Sequence, residues 1–174
     1  MNIYENEIKR VLLTQDEISN RVRELGESIT ADYKDKNLLL LGVLKGSVVF
    51  MSDLMRAVNL PLCIDFIAVS SYRDKSAPGE IRFLKDTSIP LENFDVLITE
   101  DILDSGLTLA YTMDILRNRN TRSVEICALL DKPERRKAEV HARYIGFTIP
   151  DEFVVGYGLD YAERYRNLPF VGVI

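Results

Sequence analysis

Four short, almost uninterrupted apolar runs divide the chain: residues 37–44 (NLLLLGVL), 62–70 (LCIDFIAVS), 95–99 (DVLIT) and 123–130 (SVEICALL). A strand with one face in water alternates apolar and polar residues, whereas a run that is apolar at nearly every position must be covered on both faces. Between the runs the pattern changes to helical spacing. Val49, Phe50, Leu54 and Val58 follow the first run, and residues 107–117 follow the third. Buried strands alternating with helices define an α/β domain, a parallel β-sheet core flanked by helices. Ligands of such sheets bind in the crevice outside the carboxyl ends of the strands, so the residues just after each run carry the chemistry.

The remaining segments complete one domain over residues 1–174. Thr14-Gln15-Asp16-Glu17 has the spacing of a capping box, and Ile18, Val22, Leu25 and Ile29 recur at helical intervals, so a helix is expected over 15–32 and the N-terminal part reads as helical. A short strand is expected at 81–84 after the polar segment 71–79, and two more at 144–148 and 153–155. The stretch DKPERRKAEVHA reads as a charged loop. No repeat or linker subdivides the chain, and at 174 residues roughly 70% of the unfolded surface is buried on folding, enough for a core without staples.

Charge and composition exclude several classes. Lys and Arg number 22 against 27 Asp and Glu, a net charge of -5. That balance is opposite to the basic surface of a nucleic-acid binder. The apolar runs are far shorter than the roughly 20 residues that span a bilayer, so no membrane partner is expected. The opening MNIYENEIKR has no apolar signal region, which makes the cytoplasm the expected compartment. Cys63 and Cys127 lie inside apolar runs and are expected to be buried and reduced. With His141 the only histidine and no CxxC or HExxH spacing, any metal must be oxygen-bound.

The most informative stretch is VLITEDILDSGLTL, residues 96–109. An apolar strand runs into the adjacent acids Glu100 and Asp101, then Asp104, then Ser-Gly-x-Thr at the start of a helix. Glycine in such a turn lets backbone N–H groups converge, and the helix N-terminus adds further donors, an arrangement that suits a phosphate monoester. The Ser105 and Thr108 hydroxyls add donors, while the acids suit sugar hydroxyls, Mg²⁺ or a developing cation. The competing reading is an acidic surface loop with Asp104 as a plain helix cap.

Together with GVLKGSVVF, the SSY segment, LLDK and IPDEFVVGYGLDYAERYRNLPFVGVI, this stretch resembles the type I phosphoribosyltransferases, and most closely their hypoxanthine-guanine branch. The match runs from about residue 38 to the C-terminus. The resemblance implies a parallel core with a small hood built from N- and C-terminal segments. It also implies transfer of ribose 5-phosphate from phosphoribosyl pyrophosphate (PRPP) to hypoxanthine or guanine, giving IMP or GMP and pyrophosphate with Mg²⁺ as cofactor. Purine salvage is the expected role, and a homodimer or homotetramer the expected assembly.

The same resemblance implies a role for each matching position. Asp104, Ser105, Gly106, Leu107 and Thr108 would hold the 5'-phosphate, with Asp104 also the general base that takes the purine ring proton. Glu100 and Asp101 would face the ribose hydroxyls and, with Asp160, the metal. Lys45, Gly46 and Arg166 would contact pyrophosphate, the Lys45-Gly46 turn often through a cis peptide in that family. Ser71 and Tyr72 would begin a closing loop. Phe153 would stack on the base, and Val154 would meet its edge through the backbone. Lys132 would recognise the 6-oxopurine, because an ammonium only donates and so pairs with a 6-oxo but not a 6-amino group. The alternative for Lys132 is one more solvated charge in its run. Ser105 stands where some relatives carry threonine. Asp131 stands where others have an apolar residue, which would place a carboxylate near the base and leave xanthine use open.

Overall fold

The computed structural model describes residues 7–71 and 81–174. Its elements are β1 (Arg10–Leu13), α1 (Gln15–Asp32), β2 (Leu38–Leu44), α2 (Val48–Ala57), β3 (Cys63–Ser71), β4 (Ile81–Lys85), β5 (Asp95–Leu103), α3 (Leu107–Arg117), β6 (Ser123–Asp131), a 3-10 turn Pro133–Arg135, β7 (Tyr144–Thr148), β8 (Val154–Val155) and β9 (Val171–Val173). A six-stranded sheet runs β4-β3-β2-β5-β6-β7, parallel throughout except for β4, which is antiparallel to β3.

Strand alternation sorts the apolar runs onto two faces. Leu38 and Leu40 of β2, Leu97 of β5 and Leu129 of β6 pack with Ile18, Val22, Leu25, Phe50 and Leu54 of α1 and α2. Leu39, Leu41, Ile98 and Ile126 face the other way, onto Leu109, Met113 and Leu116 of α3. Two covered faces are the reason these strands are apolar at consecutive positions. The capping box forms as expected: Glu17 N–H donates to Thr14 Oγ1 (3.3 Å) and Thr14 N–H to Glu17 Oε2 (2.8 Å).

Two aspects of the sheet position the site. The chain passes from β2 to β3 on one side, then returns after β4 to place β5 on the other side of β2. The carboxyl ends of β2 and β5 therefore flank a topological switch point, where α/β sheets bind ligands. Above it sits a second, three-stranded antiparallel sheet, β1-β9-β8, made from the chain's two ends. This is the small hood.

Three expectations need correction. The N-terminal part is not wholly helical, since β1 precedes α1 and pairs with β9. β5 does not stop at Thr99 but continues to Leu103, so Glu100 and Asp101 lie within the strand. Cys63 is exposed rather than buried, while Cys127 is buried, and both thiols are free. β4 pairs only with residues 68–71 of β3, which leaves the first half of β3 along an open sheet edge. Among the described residues no helix is long and apolar enough to cross a membrane.

Candidate active site

Four segments meet at the switch point: the turn after β2, the end of β5 with its loop into α3, the turn after β6, and the loop from β8 toward β9. A cavity of about 230 Å³ opens between the first two, lined by Leu44, Glu100, Asp104, Ser105, Gly106 and Thr108 among others.

The loop into α3 has the form of an anion cradle. Gly106 caps the helix in the left-handed region (φ 78°), which a residue with a Cβ rarely adopts. No side chain caps the helix, so Asp104 is not its plain N-cap. The Asp104 carboxylate instead lies 3.2 Å from Arg135 Nε in an ion pair. The helix amino end remains open to the cavity, where its dipole and amide donors favour an anion.

Glu100 and Asp101 form a carboxyl pair. Glu100 Oε2 is fully buried with no hydrogen-bond partner in the protein. Burial pushes the Glu100 carboxyl well above the usual carboxylate range, and the neighbouring Asp101 charge pushes it further. Burial also raises Asp101, opposed by the Ile102 N–H that its Oδ1 accepts at 2.8 Å. Two buried carboxyls this close resist being ionised together. Their oxygens suit the hydroxyls of a sugar diol.

The turn after β2 contains a cis peptide at Leu44-Lys45. Gly46 is wedged beside it. A Cβ there would lie 1.7 Å from Asp101 Oδ2, and a Cβ on Gly158 would lie 2.1 Å from the Gly46 carbonyl oxygen. The turn is thus clamped between the acid pair and the 156–166 loop. Ser47 Oγ turns inward to donate to the Val43 carbonyl (2.7 Å), and no side chain caps α2.

Arg166 shapes the loop on the far side. Its guanidinium donates to the Gly158 carbonyl (2.7 Å) and pairs with Asp160 (2.8 Å), while Nε is buried without a hydrogen-bond partner. Lys45 Nζ reaches Glu163 Oε2 at 2.9 Å, and Arg166 lies 3.6 Å from the same residue's Oε1. One carboxylate therefore sits between the two cations. Asp160 is engaged with Arg166 and with the Glu163 N–H (2.9 Å), and among the described residues no three acids, histidines or cysteines gather as a metal cage.

Lys132 is not one more solvated charge. It is 6% exposed, and its ammonium donates to the Glu152 carbonyl at 2.6 Å. Asp151 Oδ1 lies 3.8 Å away. Glu152 is itself held by Arg10 of the hood at 2.5 Å, so the hood fixes the backbone that Lys132 grips. Phe153, next in the chain, is 54% exposed and packs edge-on against Tyr161 (5.6 Å between centroids), while Val154 is buried in β8. Ser71 ends β3 opposite Ile81, and Tyr72 lies outside the described residues.

Residues 12–162 match the phosphoribosyl transferase domain. A hypoxanthine-guanine phosphoribosyltransferase of Staphylococcus epidermidis is 52% identical over 169 residues, covering 97% of this chain and 94% of that protein. The chain belongs to the hypoxanthine-guanine phosphoribosyltransferase family. The solved structure of a hypoxanthine phosphoribosyltransferase from Staphylococcus aureus superposes with a TM-score of 0.96 at 51% identity, covering all of this chain and 96% of that one. A bifunctional TilS/HprT protein of Listeria monocytogenes is 49% identical over 170 residues, of which this chain spans 26% of the length.

Within this phosphoribosyltransferase frame, sequence reading missed three residues. Arg135 pairs with Asp104, and Arg136 pairs with Asp131, so the charged run after β6 is partly folded inward. The Asp131 carboxylate accordingly faces Arg136. Glu163 contacts both Lys45 and Arg166. A long-range pairing of this kind leaves no local periodicity to read.

Proposed function

We propose that the protein transfers the 5-phosphoribosyl group of PRPP to hypoxanthine or guanine, forming IMP or GMP and releasing pyrophosphate. The bond from ribose C1 to the pyrophosphate oxygen breaks, and a bond from C1 to a purine ring nitrogen forms. The observation that carries this reading is the buried, donor-only Lys132 beside exposed Phe153, across from an anion cradle and a carboxyl pair. Its support from relatives is the hypoxanthine-guanine name borne by proteins about half identical over nearly the whole chain.

In this reading the N–H groups and hydroxyls of residues 104–108 bind the 5'-phosphate, where dipole and donors favour two negative charges. The Glu100–Asp101 pair takes the ribose hydroxyls, and its charge stabilises the cationic sugar of the transition state. Asp104 accepts the purine ring proton. Arg135, 3.2 Å from that carboxylate, orients it. Lys132 donates to the 6-oxo group, Phe153 stacks on the ring, and the Val154 backbone meets its edge. Gly46, Lys45 and Arg166 receive the pyrophosphate, which displaces the Glu163 carboxylate from between the two cations.

The orphaned Glu100 oxygen and the adjacent Asp101 fit a hard cation that completes its shell with substrate oxygens. Mg²⁺ bound with the substrate would be met by Glu100 and Asp101 at the ribose side and, separately, by Asp160 at the pyrophosphate side, and would supply charge neutralisation to the leaving group. Assembly as a homodimer or homotetramer in the cytoplasm belongs to the same reading. Nucleotide formation from PRPP, followed in ultraviolet light with each purine and with or without Mg²⁺, tests it. Product that accumulates without metal would remove Mg²⁺ from the account, and equal rates with adenine would remove the role of Lys132.

A further inference from the structure

A phosphate cradle needs its amide hydrogens turned inward, so its carbonyls must turn outward and find partners there. Here every carbonyl of residues 103–106 has one. Leu103 O accepts from the Lys132 N–H (3.0 Å) and from Arg136 (3.3 Å). Asp104 O accepts from Arg136 Nε (3.0 Å). Ser105 O accepts from the N–H groups of Lys137 (2.9 Å) and Ala138 (3.2 Å), and Gly106 O from Ala110 within the helix (2.9 Å). Arg136 also donates to the Val140 carbonyl (2.9 Å), and its charge is met by the buried carboxylate of Asp131. The guanidinium thus spends its donors on the outer side of the loop, in a largely buried pair. Since C=O and N–H of a trans peptide point in opposite directions, these bonds turn the N–H groups of residues 104–106 toward the cavity.

We infer that Asp131 and Arg136 form a brace that sets the phosphate loop before substrate arrives, which makes Arg136 a positioning residue for the 5'-phosphate. The planar fork of arginine suits several acceptors at once, and a lysine in its place keeps the charge but not the geometry. Asp131 serves that brace and not the choice of base. The inference rests on the reading that residues 104–108 bind the 5'-phosphate.

Titration calorimetry on the whole protein separates the possibilities, with ribose 5-phosphate as one probe and magnesium pyrophosphate as the other. Arg136→Met is expected to weaken ribose 5-phosphate at least tenfold and to leave pyrophosphate within twofold. Arg136→Lys is expected to recover part of the loss. Asp131→Asn should fall between, with the ratio of hypoxanthine to xanthine turnover unchanged. In steady state the KM for PRPP should rise more than kcat falls. If Arg136→Met does not fold by circular dichroism, Arg136→Lys and Asp131→Asn decide on the same readouts. Unchanged ribose 5-phosphate binding, or equal weakening of both probes, would overturn the brace. Wild-type protein that turns over PRPP yet does not bind ribose 5-phosphate would overturn the loop assignment, and the brace with it.

Discussion

Replacing Lys132 by methionine keeps the unbranched apolar stem and removes the charge and all three donors. In the structure one donor goes to the Glu152 carbonyl at 2.6 Å, and Asp151 at 3.8 Å is beyond a direct hydrogen bond. Donors therefore remain for a 6-oxo group. A hydrogen bond from a charged donor contributes about 1.5–3 kcal/mol. At 1.4 kcal/mol per decade, its loss lowers kcat/KM for hypoxanthine roughly 10- to 150-fold. The Glu152 carbonyl is also left unpaired, which costs about 1–3 kcal/mol of stability. A glutamine at the same position offers an acceptor as well as a donor, so adenine should become a measurable substrate. Initial rates with saturating PRPP and varied purine, for Lys132→Met and Lys132→Gln, give both numbers. A loss of less than threefold for hypoxanthine in Lys132→Met would refute the reasoning, because a buried ammonium in contact with the base cannot be that inexpensive to remove.

Other outcomes follow from the same geometry. Asp104→Asn should lower kcat about 10²- to 10⁴-fold with PRPP binding nearly unchanged, since the amide keeps the loop's shape but cannot take the proton; single-turnover rates check it, and unchanged turnover removes Asp104 as the base. Gly46→Ala should abolish pyrophosphate binding, because its Cβ would fall 1.7 Å from Asp101 Oδ2 and force the turn or the acid pair to move; calorimetry with pyrophosphate measures this. Glu100 is held well above its ordinary value of 4.5 by burial, so the folded state binds a proton that the unfolded state has lost above that pH. Its contribution is therefore a stability that falls as pH rises from about 4.5 through the folded value. Glu100→Gln should raise the melting temperature at pH 7 more than at pH 4, while eliminating turnover. A thermal scan at both pH values that finds no such difference would contradict the burial-raised Glu100 carboxyl.

The core was legible because a sheet covered on both faces writes uninterrupted apolar runs, and each of the four runs became a strand of the six-stranded sheet. The helix over Gln15–Asp32 was legible from its capping box, a purely local signal. β1 was not, since RVLL has too few residues for a period and is a strand only because β9 pairs with it. The exposure of Cys63 depends on β4 reaching only part of β3, a matter of register that composition does not encode. At the site, local spacing pointed to the loop at Asp104–Thr108 and family resemblance to Lys132 and Phe153. The inward turn of Arg136 toward Asp131, across a proline turn, was hidden inside a run that looked uniformly solvated.

The most direct measurement is nucleotide formation from PRPP and Mg²⁺ with hypoxanthine, guanine, xanthine and adenine offered separately. The account predicts metal-dependent IMP and GMP from the first two and no product from adenine. No product from any purine despite measurable PRPP binding, or equal turnover of adenine, would contradict it.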